Sequence, residues 1–240
     1  MSRFDPGLLA DLDEPVRRYF AHALREGAPL DQPTHLRMTG RIKVGKWLPF
    51  SATQDNDRDS FRWSARLGAG PLTVLRVVDR YAAGRGSTEG RLLGRARLFR
   101  ADDEHATRSA AARTALEAAT FAPACLLPHT GVTWRAEGDD VITAAWSVPP
   151  ERPEVRIRID ARGAIRSVSA LRWGDQGHGR HGYIPCGCEV HQERRFGDFV
   201  VPSHCTVGWW FGTPRYTPFF RADVTSLGLS PGACAATAAT

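Results

Sequence analysis

The chain has 240 residues, with 32 basic against 26 acidic side chains and a formal net charge of +6. Its length and 42% hydrophobic content fit one globular domain that can bury a core without disulfides or metal, which excludes a disordered chain. No apolar run reaches the roughly 18 residues of a bilayer-spanning helix, so no membrane span is expected.

Only Lys43 and Lys46 are lysines; every other basic residue is Arg. Arg is the better phosphate fork, but these residues are interleaved with acids, as in Glu151, Arg152, Glu154, Arg156, Arg158 and Asp160. No clustered basic run stands out, so no nucleic acid is expected as a partner. Met1 to Pro15 holds Asp5, Asp11, Asp13 and Glu14 and lacks the apolar stretch of a secretory leader, so the expected compartment is the cytoplasm. Five cysteines, an odd and sparse set, do not form a disulfide framework.

In chain order, the first element is a helix. Asp13 sits at the cap position, Pro15 in the first turn, and Val16, Tyr19, Phe20, Ala23 and Leu24 recur at helical spacing until Gly27 and Pro29. From Leu36 to Val44 the period changes to two, the signature of a strand with one buried face. Phe61, Trp63, Ala65 and Leu67 repeat it. Gly68 to Pro71 reads as a turn, Leu72 to Tyr81 as a more apolar strand, and Gly84 to Leu93 as a short one.

A second helix, 104–122, is capped by Asp102 or Asp103 and closed by Pro123. It is rich in Ala and able to lie close to a sheet, with Ala110, Leu116 and Phe121 as its main apolar contacts. Arg113 and Glu117 are four apart and pair on one face. Should that face look at the sheet, Arg108 and Arg113 become buried guanidiniums that must find carboxylates, carbonyls or an anionic headgroup.

The second half reads almost entirely as strand: 132–136, 141–148, 155–160, 164–171, 188–196, 199–209 and 216–227. Trp209 and Trp210 would point to opposite faces, with Cys205, Val207 and Phe211 sharing the face of Trp209. The tail 230–240 has no pattern and reads as disordered. The fold class is therefore α+β: a single large curved antiparallel sheet of about 11 strands, with an N-terminal helix and a mid-chain helix covering its concave face. A break near residue 128 into two lobes is the alternative.

No nucleophile elbow, dinucleotide loop or phosphate loop occurs, and no cofactor is implied. Asp102–Asp103 and Asp139–Asp140 flank caps or turns, so no catalytic residue is named. His178, His181, Cys186, Cys188 and His191 lie close together, yet Cys-x-Cys is tighter than structural zinc spacing, and no metal site is assigned. The most distinctive segment runs from Trp209 through Trp210, Phe211, Gly212, Thr213, Pro214 and Arg215 to Tyr216. It suggests an aromatic wall for an apolar ligand, with Arg215 at its mouth and Trp47 and Trp63 facing it.

That segment, with Glu14 to Phe20, Trp47 to Phe50 and Thr107 to Ala110, resembles an uncharacterised bacterial family known only as a domain of unknown function. The resemblance spans residues 5–227 and implies no activity. The family pattern has other residues at the positions of Cys186 and Cys188, which weakens a zinc reading further. The layout is also similar to the half-barrels of lipoprotein carriers, which cradle acyl chains.

The expected function is a non-enzymatic binding module for a lipid-like or apolar small molecule. Its candidate ligand-binding residues are Trp47, Trp63, Arg108, Arg113, Trp209, Trp210 and Arg215. The alternatives are an enzyme using an Arg- and His-lined cleft, and nucleic-acid binding through Arg and aromatic residues.

Overall fold

The computed structural model describes residues 2–30, 32–68 and 74–230. The expected turn at Gly68 to Pro71, the strand start at Leu72 and the tail from 231 onward lie outside them wholly or in part. Six strands precede the long helix: β1 (Thr34–Val44), β2 (Lys46–Asn56), β3 (Phe61–Leu67), β4 (Leu75–Ala82), β5 (Arg85–Leu92) and β6 (Ala96–Ala101). Seven follow it: β7 (Thr133–Ala136), β8 (Val141–Ala145), β9 (Glu154–Ile159), β10 (Ile165–Asp175), β11 (His181–Phe196), β12 (Phe199–Trp209) and β13 (Thr217–Leu229). The helices are α1 (Glu14–Ala23) and α2 (Glu104–Phe121).

All 13 strands form one open antiparallel sheet in the order β6-β5-β4-β3-β2-β1-β13-β12-β11-β10-β9-β8-β7. The chain order is broken at one place only, where β1 meets β13, and this joins the two halves into one sheet rather than two lobes. Thirteen strands replace the expected 11 or so. The exposed edge strand β6 has no buried alternation by which to recognise it.

Curvature follows from lengths. α2 packs against β5 and β4 near one edge and against β10 and β9 near the other. Nine strand spacings separate β5 from β9, which is about 43 Å on a flat sheet. An 18-residue helix is only about 27 Å long. The sheet therefore wraps around α2, and its inner face holds the core: Leu36, Trp63, Tyr81, Ile142, Ile157 and Val168 are all buried.

The Asp103 carboxylate caps α2 by accepting from the Ala106 N–H at 2.8 Å. Ala111, Ala115 and Ala118 form the buried stripe, so alanines make the close contact, with Leu116 only partly buried. Closeness also requires Gly86 on β5: a Cβ there would come within 2.5 Å of the Ala110 Cβ. α1 packs Tyr19 and Phe20 against Trp134 beside β7 and β8. The Asp13 side chain does not cap α1; it accepts from the Ala136 N–H at 2.8 Å and ties the helix to β7.

Gly86→Ala should destabilise the fold by about 1–3 kcal/mol, because α2 must lift from β5. Gly228→Ala, where an added Cβ meets nothing within 4 Å, should stay within about 0.5 kcal/mol of the parent. Urea midpoints of both variants check this.

Candidate functional site

The small side chains of α2 do not fill the trough beneath it. A cavity of about 180 Å³ remains between the helix and the inner face of β1 to β4 and β10 to β13. Its walls are mainly apolar and aromatic. Trp63, Phe121, Trp209, Phe219 and Phe220 supply the rings, and Met38, Ile42, Leu116 and Val207 the aliphatic surface. Trp209 stacks on Phe219 with ring centroids 5.8 Å apart, and Trp63 meets Phe220 edge-on at 6.1 Å. The Trp63 indole N–H is buried with no acceptor among the described residues.

Four residues, Asp79, Arg113, Arg172 and Trp209, line both this cavity and a more open chamber of about 370 Å³ beside α2. They form the partition between the two. Arg113 lies with its guanidinium between two carboxylates: Nη1 donates to Asp79 at 2.6 Å and Nε to Glu117 at 3.1 Å. It also sits over Phe61, 4.7 Å from the ring centroid. Burial alone would lower Arg113; the Glu117 and Asp79 charges outweigh it and hold the guanidinium above the ordinary arginine value.

Arg172 differs. Its Nε donates to the backbone oxygen and Oγ of Ser109, both at 3.1 Å, and its guanidinium lies 4.9 Å from the Trp209 ring centroid. No carboxylate lies within ion-pair distance of it among the described residues. Burial lowers Arg172 below the ordinary arginine value and the Arg113 charge adds to that, outweighing the opposing effects of Cys186 and the more distant Asp79. Beside it, burial pushes the Cys186 thiol up. Cys188 is raised by its hydrogen bond with Cys205 and by burial. Cys186 and Cys188 are therefore neutral thiols, and with Cys205 they make a soft apolar wall rather than a set of thiolate ligands.

Residues 2–222 match a family described as a family of unknown function, DUF6544. The chain belongs to that family. No curated protein matches it. Among solved structures it is similar to a protein described as an outer membrane lipoprotein-sorting domain from Vibrio parahaemolyticus, at 8% identity and a TM-score of 0.46, over 95% of this chain and 92% of that one. It is also similar to a LolA superfamily protein from Nitrosomonas europaea (6% identity, TM-score 0.44, 90% and 92% covered). A third is a DUF1329 family protein from Desulfovibrio piger (12% identity, TM-score 0.43, 95% of each chain covered).

Within this member of the family, the seven candidate residues separate. Trp63, Arg113 and Trp209 line the cavity. Trp47 does not: on β2 the inward positions are Phe50, Ala52 and Gln54, and Trp47 faces outward beneath Arg221. Trp210 lies past the end of β12 with φ 59°, so the strand rule of alternating faces does not reach it. There it stacks under Arg215, whose guanidinium is 3.7 Å from the ring centroid. Arg215 thus closes a turn rather than a mouth. Phe211 crosses to the outer face, where the missing side chain of Gly187 makes room for its ring. Arg108 lies outside the cavity too, bonded to Glu151 at 2.6 Å and to the Tyr183 hydroxyl at 2.9 Å, over Trp173.

The histidine and cysteine cluster also separates. Cys186 and Cys188 lie mid-strand in β11 with both thiols on the inner face, not in a loop. His178 sits in a turn with φ 59°. His181 stacks on His105 at 3.9 Å, and His191 bonds Thr206 at 2.9 Å.

Asp79 and Arg172 are not among the residues expected from the sequence. A signal was present: Val77, Asp79 and Tyr81 share the inward face of β4, and Val168, Ala170 and Arg172 that of β10. A charge on an otherwise apolar face marks a partnered or functional position.

Arg113→Met should destabilise the protein by about 3–5 kcal/mol, because Asp79 and Glu117 lose their counter-charge. The triple variant Asp79→Asn, Arg113→Met, Glu117→Gln should recover most of that loss. Urea unfolding of both variants measures it.

Proposed function

We propose that this protein is a non-enzymatic binding module for a small amphiphile with an apolar end and an anionic end. The apolar end occupies the cavity beneath α2, and the anionic group meets Arg172 where the two chambers join. The observation that carries this reading is Arg172 itself: a cation inside the fold, lining an apolar cavity, that forms no ion pair among the described residues and feels Asp79 only from beyond ion-pair distance. A sequestered charge of that kind is costly unless an opposite charge completes it. Mostly apolar walls with a few placed polar groups are also what small-molecule sites have.

Size narrows the ligand class. A cavity of roughly 150 Å³ holds benzene, so about 180 Å³ takes a ring or a short chain rather than the two acyl chains of a phospholipid. The rest of the ligand extends into the adjoining chamber. An enzymatic reading finds less support: His181 lines the open chamber together with Asp79, Asp103 and Asp175, but none of His178, His181 and His191 forms an ion pair with a carboxylate among the described residues.

Trp63 and Trp209 line the cavity, so tryptophan fluorescence reports occupancy. Titration should give octanoate an affinity at least about tenfold above that of octan-1-ol, the scale of a charge-assisted hydrogen bond. Arg172→Gln should abolish the preference, and Val207→Trp, which fills the cavity, should abolish both. Equal affinities in the parent, or an unchanged preference in Arg172→Gln, would sink the assignment.

A further inference from the structure

The outer face of the sheet carries an arrangement that stability alone does not favour. Arg66 on β3 stands directly opposite Arg76 on β4. Arg76 stands opposite Arg91 on β5, and Arg91 opposite Arg97 on β6. Four arginines thus form one unbroken cross-strand row. Arg62 and Arg80 form a further like-charged pair across the same two strands as Arg66 and Arg76. Like charges directly opposite each other destabilise a sheet. Outside this region the described ladders oppose two arginines at Arg41 and Arg221 on β1 and β13, whereas Arg135 and Arg156 pair with Glu137, Arg158 with Asp140 and Arg166 with Asp160.

Within the row, one carboxylate serves several guanidiniums. Glu89 is ion-paired with Arg91. That hydrogen bond, with the charges of Arg91, Arg100 and Arg97, holds its carboxyl below the ordinary value. Arg66, Arg76 and Arg97 have no ion-pair partner among the described residues.

At the same end of these strands, aliphatic side chains face water. Leu93, in the β5–β6 turn, is 70% exposed, Leu98 on β6 is 62% exposed, and Val74 ahead of β4 is 52% exposed. The Leu93 N–H donates to the Val74 oxygen, so the two sit side by side. Arg95 lies in the same turn.

We infer that this end of the sheet docks on an anionic phospholipid bilayer, with Val74, Leu93 and Leu98 among the headgroups and the Arg66–Arg76–Arg91–Arg97 row on the lipid phosphates. Charge complementarity selects a polyanion, and the projecting aliphatic side chains select a bilayer among polyanions. A single-stranded nucleic acid is held by aromatic stacking platforms, and Phe99, the aromatic residue of β6, is turned over Gly90 instead.

The test is co-sedimentation with extruded vesicles of phosphatidylcholine alone or with about 30% phosphatidylglycerol. The parent should favour the anionic vesicles at least about tenfold and release them at about 0.5 M NaCl. Arg66→Glu/Arg76→Glu should lose roughly twentyfold or more, each cation near such a surface contributing about fivefold. Leu93→Ser/Leu98→Ser should weaken binding several-fold with the charge unchanged. Circular dichroism confirms that both variants fold. The cavity-filled Val207→Trp should bind vesicles like the parent, so this inference and the ligand reading fail separately. Equal retention on both vesicle types, no retention, or unaffected variants overturn it, as does salt-sensitive retention on DNA without vesicle binding.

Discussion

A guanidinium set under a helix is costly without counter-charge, and the interior of this protein is organised around that constraint. Arg113 projects from α2 toward the sheet, and its charge is met by Glu117 one turn along the same helix and by Asp79 from β4. The first contact is local to the helix; the second fixes the rotation and height of α2 across the trough. Asp79 is itself held by the Thr88 hydroxyl on β5. On the far side, the helix is caught through its backbone by Arg172 from β10, which donates to Ser109. Polar contacts of this kind contribute less to net stability than to the choice of one arrangement.

The hollow follows from the same helix. An Ala stripe allows close approach at β5, where Gly86 removes even the Cβ. Alanine lacks the reach to fill the middle of a curved sheet, and the few longer side chains there, Leu116 and Phe121, line the gap rather than close it. Since a core is ordinarily packed to crystal-like density, an unfilled apolar space bordered by two guanidiniums, of which only Arg113 is ion-paired among the described residues, forgoes packing energy. The aromatic rings around it bury large surfaces on their own, so the fold remains stable without filling.

Much of the fold was readable because burial leaves a period in the sequence. The inward set of β1, β3 and β9 alternates cleanly, and Pro15 and Asp103 mark helix starts. β6 was not readable as a separate strand: all but one of its residues are exposed, so no face imposes a pattern. The Gly-rich, His-rich start of β11 imitates a loop in sequence, yet His181 to Ile184 is ladder-bonded to β10. The site was legible in part. Trp63 and Trp209 reach the cavity wall by strand period and Arg113 by helix face, whereas only residue type singles out Trp47 and Trp210. Periodicity assigns a face only within a strand. It fails at Trp210, where positive φ begins a turn, and for Trp47 it points outward once β2 is aligned on Phe50 and Ala52. Arg172 and Asp79 were hidden because charged residues on strands default to the solvent face, and only their even spacing from Ala170 and Val77 argues otherwise.

The two proposed surfaces lie on opposite sides of the same strands. Arg76 and Asp79 are three residues apart on β4, about 10 Å along the strand, one facing out into the basic row and the other in toward Arg113. Arg91 and Thr88 repeat the relation on β5. Strands that present arginines to a headgroup layer would therefore also carry the acidic partner of the cavity wall. A bilayer held against the outer face would lie one strand thickness from the Asp79–Arg113 pair, on the opposite side of β4. In this geometry the partition between the chambers, rather than a lid, is the element that a surface contact can bias, because its one sheet-borne carboxylate stands on the strand that the surface would grip.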